Sequence, residues 1–428
     1  MTRPAEHPTN ALVESGGQMV GSWSPWRAVV GFGMISLSAD MVYEGARSVT
    51  GPLLASLGAS AALVGLITGA GEATALVLRV VFGRWADRGG RYWTLTMAGY
   101  AMTAVCVPAL AITPFLAGAG LTVACVLILA ERTGKAVRSP AKTALLARAA
   151  SRVGLGRGFA VHKALDQAGA VAGPLLVAAV AGLAGSLWPA LAALVVPGAA
   201  ALLILGWVRR RTNEAVTAPP PSTPADTVLL ADRARRPGSA DRLPAGFWLF
   251  AAATGAATAG LVTFGVISYH LTQDHVVALA AVPVVYAAAM AAEALAALAT
   301  GWLFDRVKGR VLLALPVLVA VVPPLAFTNS LLAALAGVLI WGAAMGVQDS
   351  TVKALVADLV TPTARATAYG VFAAVQGAAA ILGGAMAGIL YQHSLPTLIA
   401  LVGATQAAAL VLLIVTLRHL QTTVHQKN

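Results

Sequence analysis

Residues 83–91 read GRWADRGGR, three arginines and an aspartate framed by glycines, between two long apolar stretches at 60–83 and 92–112. Each stretch has the roughly twenty residues that a helix needs to cross a hydrocarbon core about 30 Å thick. A short charged turn between two such segments is a helical hairpin whose basic connection stays on one side of a membrane. Behind a later apolar stretch, 277–303, the sequence reads GWLFDRVKGR at 301–310, the same pattern with one extra residue. The chain repeats itself, and the repeat defines the unit of the fold.

Outward from these two turns, apolar segments recur at 27–56, 60–83, 92–112, 119–147, 159–183, 187–208, 245–271, 277–303, 310–327, 331–358, 366–390 and 396–418. Lipid offers no water to free backbone groups, so segments of this length are helices. The expectation is an all-α membrane protein of twelve transmembrane helices, in two six-helix halves related by pseudo-twofold symmetry. Composition agrees: 58% of the 428 residues are hydrophobic and 11% charged, against roughly a quarter charged in soluble domains. Cys106 and Cys125 both fall in apolar segments and read as small core residues, with neither a disulfide framework nor a metal site implied.

The net charge of +12 reflects topology rather than nucleic-acid binding. Arg84, Arg88, Arg91, Arg152, Arg157, Arg209 to Arg211, Arg306, Lys308, Arg310 and Arg365 fall on one side, whereas the opposite turns near Gly58, Thr113, Gly185, Asp274, Thr328 and Gln392 hold no Lys or Arg. This bias puts both termini in the cytoplasm, with the chain in the cytoplasmic (inner) membrane. The polar tail 1–26 lacks the pattern of a cleaved signal peptide. Two bundles follow, 27–208 and 245–418, and 419–428 is a second cytoplasmic tail. Between the bundles lies a cytoplasmic linker, 209–244, ending in TAPPPSTPADTVLLADRARRPGSADRLP, too polar to span and too rich in proline for a long helix, with a short surface helix expected at 227–235.

The fourth and tenth segments also end alike, in KTALLA at 142–147 and VKALVA at 352–357. Six helices, the 83–91 turn, a linker, and six helices with a degenerate copy of the turn resemble the major facilitator superfamily over nearly the whole chain. Gly83, Asp87, Arg88, Gly90 and Arg91 look like that family's loop motif, with Asp305 and Arg306 in the copy. The resemblance implies alternating access about a central site and a conformational latch at this loop. Glycine allows a tight turn, and a carboxylate such as Asp87 is stabilised by about 0.3–1 kcal/mol at a neighbouring helix N-terminus. Gly169, Gly173 and Pro174 resemble the helix-five motif of drug-efflux antiporters, which leans toward export, although Val177 and Ala178 stand where glycines usually follow. YEGARS (43–48) and ERTGKAVRSPAK (131–142) resemble a bacterial branch of the superfamily and bring no substrate with them.

Ionisable groups inside spanning helices cost about 2.5–3.5 kcal/mol each at mid-helix and mark function. The first half is dense with them. Asp40, Glu44 and Arg47 form one helical stripe, Glu72 and Arg79 share a face, and Glu131, Lys135, Arg138 and Lys142 form another stripe beside Arg132. His162 and Asp166 share a face with Gly169 and Gly173, next to Lys163. The proton-coupling candidates are Asp40, Glu44, Glu72, Glu131 and Asp166, with Arg47, Arg79 and Arg132 as charge partners. Asp40 and Glu44, one turn apart, repel when both are ionised, and Arg132 is the expected partner that tunes them. The alternative is a structural ion-pair network. Lys135, Arg138, His162 and Lys163 are expected to line a cavity and attract an anion, whereas Lys142 is expected to snorkel to the interface. From the second half Tyr286, Glu293, Trp341, Gln348 and Gln376, with Thr254 and Thr258, are expected cavity residues; Asp349 and Lys353 are its other intramembrane charges.

No nucleophile–base constellation and no Walker-type glycine loop is present, and the seven histidines are scattered. His270 and His275 read as a solvated turn rather than metal ligands. The expected protein is no enzyme and needs no cofactor or metal. It is a secondary active transporter working as a monomer and moving a small molecule with protons, sodium being the alternative ion. Export by antiport is favoured over symport of a small organic anion. A non-transporting receptor or scaffold has no use for so much intramembrane charge.

Overall fold

A computed structural model describes residues 23–212, 243–361 and 364–425. Most of the tail 1–26 and of the linker 209–244, including 227–235, lies outside these residues. The first half comprises α1 (Pro25–Ser56), α2 (Ala61–Gly89), α3 (Tyr92–Ala109), α4 (Gly120–Ala150), α5 (Leu155–Ala184), α6 (Leu187–Ala193) and α7 (Val195–Arg211). The second half comprises α8 (Ala245–Gly260), α9 (Phe264–Gln273), α10 (Val282–Val307), α11 (Ala314–Ala326), α12 (Leu331–Leu359), α13 (Arg365–His393) and α14 (Leu395–His425). No strand occurs among the described residues.

Among the described residues, ten helical segments are long and apolar enough to cross a membrane. One of them, Leu279–Ala326, turns back between α10 and α11 and contains two spans. The twelfth span is α1, which carries Asp40, Glu44 and Arg47 in its middle. The sixth span is broken at Leu194 into α6 and α7, and the seventh at 261–263 into α8 and α9. At the second break Leu261 and Thr263 adopt extended backbone. The indole Nε1 of fully buried Trp341 donates to the freed Val262 carbonyl at 2.8 Å, so the missing helical bond is replaced inside the bundle.

The 83–91 stretch is mostly helix. α2 continues through Gly89, and only Gly90, with φ of +59°, takes the left-handed conformation that stops it. Gly83 therefore lies within a helix and makes no turn, contrary to the expectation from the sequence.

The halves meet along three seams. α1 packs on α9, α2 on α13, and α5 on α10. At the end away from the 83–91 loop they touch backbone to backbone: a Cβ at Gly65 would stand 2.1 Å from the Gly384 carbonyl oxygen, and one at Gly51 2.2 Å from that of Gly265. Thr68 and Thr263 hydroxyls pair across this end at 2.8 Å. The far end is closed.

Candidate functional site

Between the halves lies a cavity of about 670 Å³. It reaches from Glu44 and Arg47 at mid-depth to Gly83, Arg84 and Asp87 on α2 and Tyr369 and Gly370 on α13, and so opens at the loop end.

Its floor is a charge network on α1, α2 and α4. Arg47 contacts Glu72 at 3.0 Å and Glu44 at 3.7 Å, and Arg132 contacts Glu72 and Glu131 at 3.8 Å each. Glu131 also faces Arg138 at 3.8 Å and accepts from Thr103 at 3.2 Å, and Thr103 in turn accepts from Arg138 at 2.6 Å. The Tyr286 hydroxyl donates to Glu44 from the other half. Buried Tyr43 holds three cations against its ring, Lys135 Nζ at 3.6 Å, the Arg132 guanidinium at 4.4 Å and that of Arg47 at 6.0 Å from the centroid. An aromatic face partly offsets the loss of water around such cations.

A second cluster joins α1 to α5. The Asp40 and Asp166 carboxyls are close neighbours, and both line the cavity. Asp166 also accepts from Ser36 at 2.9 Å and from Lys163 at 3.1 Å, and Ser36 accepts from Lys142 at 3.0 Å. Close approach is possible because Gly169 and Gly173 put bare backbone against α1 at Leu37 and Met41.

These contacts revise several expectations. Asp40 pairs with Asp166 across the helices, not with Glu44 along one. Arg132 lies against Glu72 and Glu131 rather than beside Asp40 and Glu44. Lys142 is held by Ser36 and lines the cavity instead of snorkelling to the interface. Tyr286 and Trp341, each at most 1% exposed, sit beneath the cavity and do not line it, and His162 and Thr254 are likewise buried away from it. Lys135, Arg138, Lys163, Glu293, Gln348 and Gln376 do line it, as do Arg79 and Asp349. His270 is no solvated group: it is buried, with Nδ1 at 2.8 Å from Asp274 and 3.1 Å from Tyr391. No cluster of three or more metal-binding side chains occurs among the described residues.

At the loop, Asp87 accepts from Tyr92 at 3.3 Å and makes no other side-chain hydrogen bond among the described residues. The helix-capping contact expected of Asp87 is thus not made in this loop-open state. Arg84, Arg88 and Arg91 form no ion pair with a described residue, and in the copy Arg306 lies over Trp302 at 3.6 Å. Sequence reading missed Tyr43 and Ser36, although both lie on the Asp40–Arg47 face of α1 at helical spacing.

A sequence model of the Major Facilitator Superfamily matches residues 32–384 and again 250–427. The chain belongs to the major facilitator superfamily. It is a multi-pass membrane protein of that transporter fold. Within the superfamily it is 52% identical over 391 residues to uncharacterized proteins of Mycobacterium tuberculosis and Mycobacterium bovis, covering 91% of this chain and 93% of each relative. Among solved superfamily-type folds it is similar to a mutant form of the nucleoside transporter NupG, with a TM-score of 0.70, 12% identity, and coverage of 91% of this chain and 99% of that one. A bacterial homolog of the human lysosomal transporter Spinster, in an inward-facing and occupied conformation, gives a TM-score of 0.61 and 18% identity, with 92% and 96% covered. At these identities the likeness shows the fold alone.

Proposed function

We propose that this superfamily transporter moves a small molecule in exchange for protons, and that the proton is carried between Asp40 and Asp166. One observation carries the reading: two neighbouring carboxyls, one on α1 and one on α5, line the cavity together, with Ser36 and Lys163 bonded to the second. Neither carboxylate has a hydrogen to donate once ionised, so the pair is held together by one shared proton and repels without it. Lys142, through Ser36, and Lys163 are the cations left facing the pair when that proton leaves. Glu44 and Glu72 serve differently, tying α1 to α2, α4 and α10. The helix-five glycines that bring Asp166 to α1 belong to the stretch resembling antiporters, which favours export.

The test is a proteoliposome assay with an imposed pH gradient, run against an imposed sodium gradient of equal size. Transport should follow the pH gradient; transport that follows sodium alone would make the carboxyl pair a cation site.

The loop end is assigned to the cytoplasm, with both termini and the linker, in the inner membrane, because the basic residues collect there. Single cysteines at Ser222 and Gln392 test this from outside intact cells. Gln392 should label and Ser222 should not, and the reverse would invert the orientation.

A further inference from the structure

The two walls of the central cavity differ in sign, and we propose that its substrate is a zwitterion, a molecule with a carboxylate at one end and a protonated amine at the other. The carboxylate would sit against Arg79 on α2, and the amine against Glu293 on α10 and Asp349 on α12. This proposal rests on the reading of the cavity as the transport site.

The second-half lining contributes Glu293 and Asp349 and no Lys or Arg. On the first-half wall most cations are already engaged: Arg47 by Glu44 and Glu72, Arg138 by Glu131, Lys163 by Asp166, and Lys142 by Ser36. Arg79 is not. It forms no ion pair with a described residue, and its Nε is buried without a hydrogen-bond partner. Glu293 and Asp349 likewise form no ion pair with a residue whose side chain is described, and among those residues no ion pair joins the two walls. Arg79 stands eighteen residues along α2 from the far end, and Asp349 eighteen residues along α12. At a rise of 1.5 Å per residue both lie about 27 Å down their helices, at one depth.

Charges inside a bundle are normally paired, because leaving water is costly. Here Arg79, like Arg84, Lys135 and Lys142 without a carboxylate within ion-pair distance among the described residues, shares the cavity with Glu293 and Asp349 of the other half. An anion alone would neutralise Arg79 but meet repulsion from Glu293 and Asp349. A cation alone would do the reverse, and a neutral molecule would leave both sets uncompensated. A dipolar molecule satisfies both walls. Two further groups await a partner on the second-half wall. Gln376, 5% exposed, leaves its Nε2 unbonded, and Gln348 leaves its Oε1 unbonded, so this wall also holds an unused donor and an unused acceptor.

The experiment uses purified full-length protein and two matched series: γ-aminobutyrate, butyrate and butylamine, and ε-aminocaproate, caproate and hexylamine. Binding is read as thermal stabilisation against concentration. In at least one series the zwitterion should bind roughly tenfold or more tightly than either singly charged analogue, since a single charge-assisted hydrogen bond is worth about that factor. Arg79→Gln should reduce the zwitterion's affinity to that of the amine, and the pair Glu293→Gln with Asp349→Asn to that of the carboxylate. Equal or tighter binding of the anion or the cation would overturn the proposal, as would no stabilisation by either zwitterion. So would variants that keep full affinity while changing cysteine accessibility at the loop end, which would make these charges part of the gate. Zwitterion binding without any pH-gradient dependence of transport would leave this inference standing and remove the proton-coupling reading instead.

Discussion

Asp40→Asn should abolish accumulation driven by a pH gradient while leaving substrate exchange intact. Each pH unit is worth about 1.4 kcal/mol per proton, so a one-unit gradient coupled to one proton supports roughly a tenfold concentration ratio. In the variant that ratio should fall to about one. The amide introduced at position 40 can still donate to Asp166, so the α1–α5 contact survives without a transferable proton. Exchange needs no net proton movement and should run at close to the normal rate. Asp166→Asn should likewise lose coupling, but Ser36 and Lys163 donate to different carboxylate oxygens, so the amide keeps only one of those two bonds and the variant should also lose some thermal stability. Glu131→Gln is the informative contrast. Glu131 is 4% exposed and sits among Arg132, Arg138 and Thr103. Its neutralisation leaves two buried guanidiniums short of a counter-charge, and breaking a buried pair costs about 3–5 kcal/mol. That variant should lose yield and thermal stability rather than coupling alone. Proteoliposome flux with and without a gradient, beside a melting curve, separates the outcomes. If Asp40→Asn and Asp166→Asn both keep gradient-driven accumulation, the carboxyl pair is structural.

The twelve spans, their grouping in halves and the repeated loop are legible in the sequence because lipid leaves only one backbone solution for a long apolar run. Charge stripes are legible too, since helical spacing puts Asp40, Glu44 and Arg47 on one face whatever the tertiary arrangement. Which stripe faces which is not. A period of 3.6 fixes neighbours along a helix and says nothing of the partner across it. Sequence spacing therefore points from Asp40 to Glu44, whereas its true neighbour is Asp166 on another helix. Arg132 is misplaced by spacing for the same reason. Trp341 and Tyr286 resemble cavity residues because polar tips on apolar bodies suit a binding site. The indole instead closes the break between α8 and α9, a break that no glycine or proline at 261–263 announces. The far seam does carry a readable signal: GLITG at 65–69 and GGAMAG at 383–388 are small-residue spacings suited to close helix contact.

That seam yields the second large effect. Gly65→Leu should drive the transporter out of the state seen here, toward one open at the far end. A Cβ at position 65 would meet the Gly384 oxygen at 2.1 Å and its carbonyl carbon at 3.0 Å, and α13 offers only backbone there, with no flexible side chain to yield. Relief comes from separating α2 from α13, the movement that opens the far face. Overpacking of this kind costs about 1–3 kcal/mol, enough to shift a two-state equilibrium by roughly five- to 150-fold. Gly51→Leu should act alike at the α1–α9 seam, where its Cβ would meet the Gly265 oxygen at 2.2 Å and the Ser268 hydroxyl at 2.4 Å. A cysteine at Gln348, in the cavity, should lose reactivity from the loop side, and one at Thr68, in the closed seam, should gain it from the far side. Transport should fall with the shift while the protein still purifies. Gly169→Leu is the control. Its clash is with Leu37 inside the first half, so it should impair folding of that half without favouring either open state. The loop supplies the counterweight: if Asp87 latches the loop end once the far end opens, adding Asp87→Asn to Gly65→Leu should restore part of the loop-side reactivity. Unchanged labelling in both seam variants would mean that these glycines are packing only and that the far gate closes elsewhere.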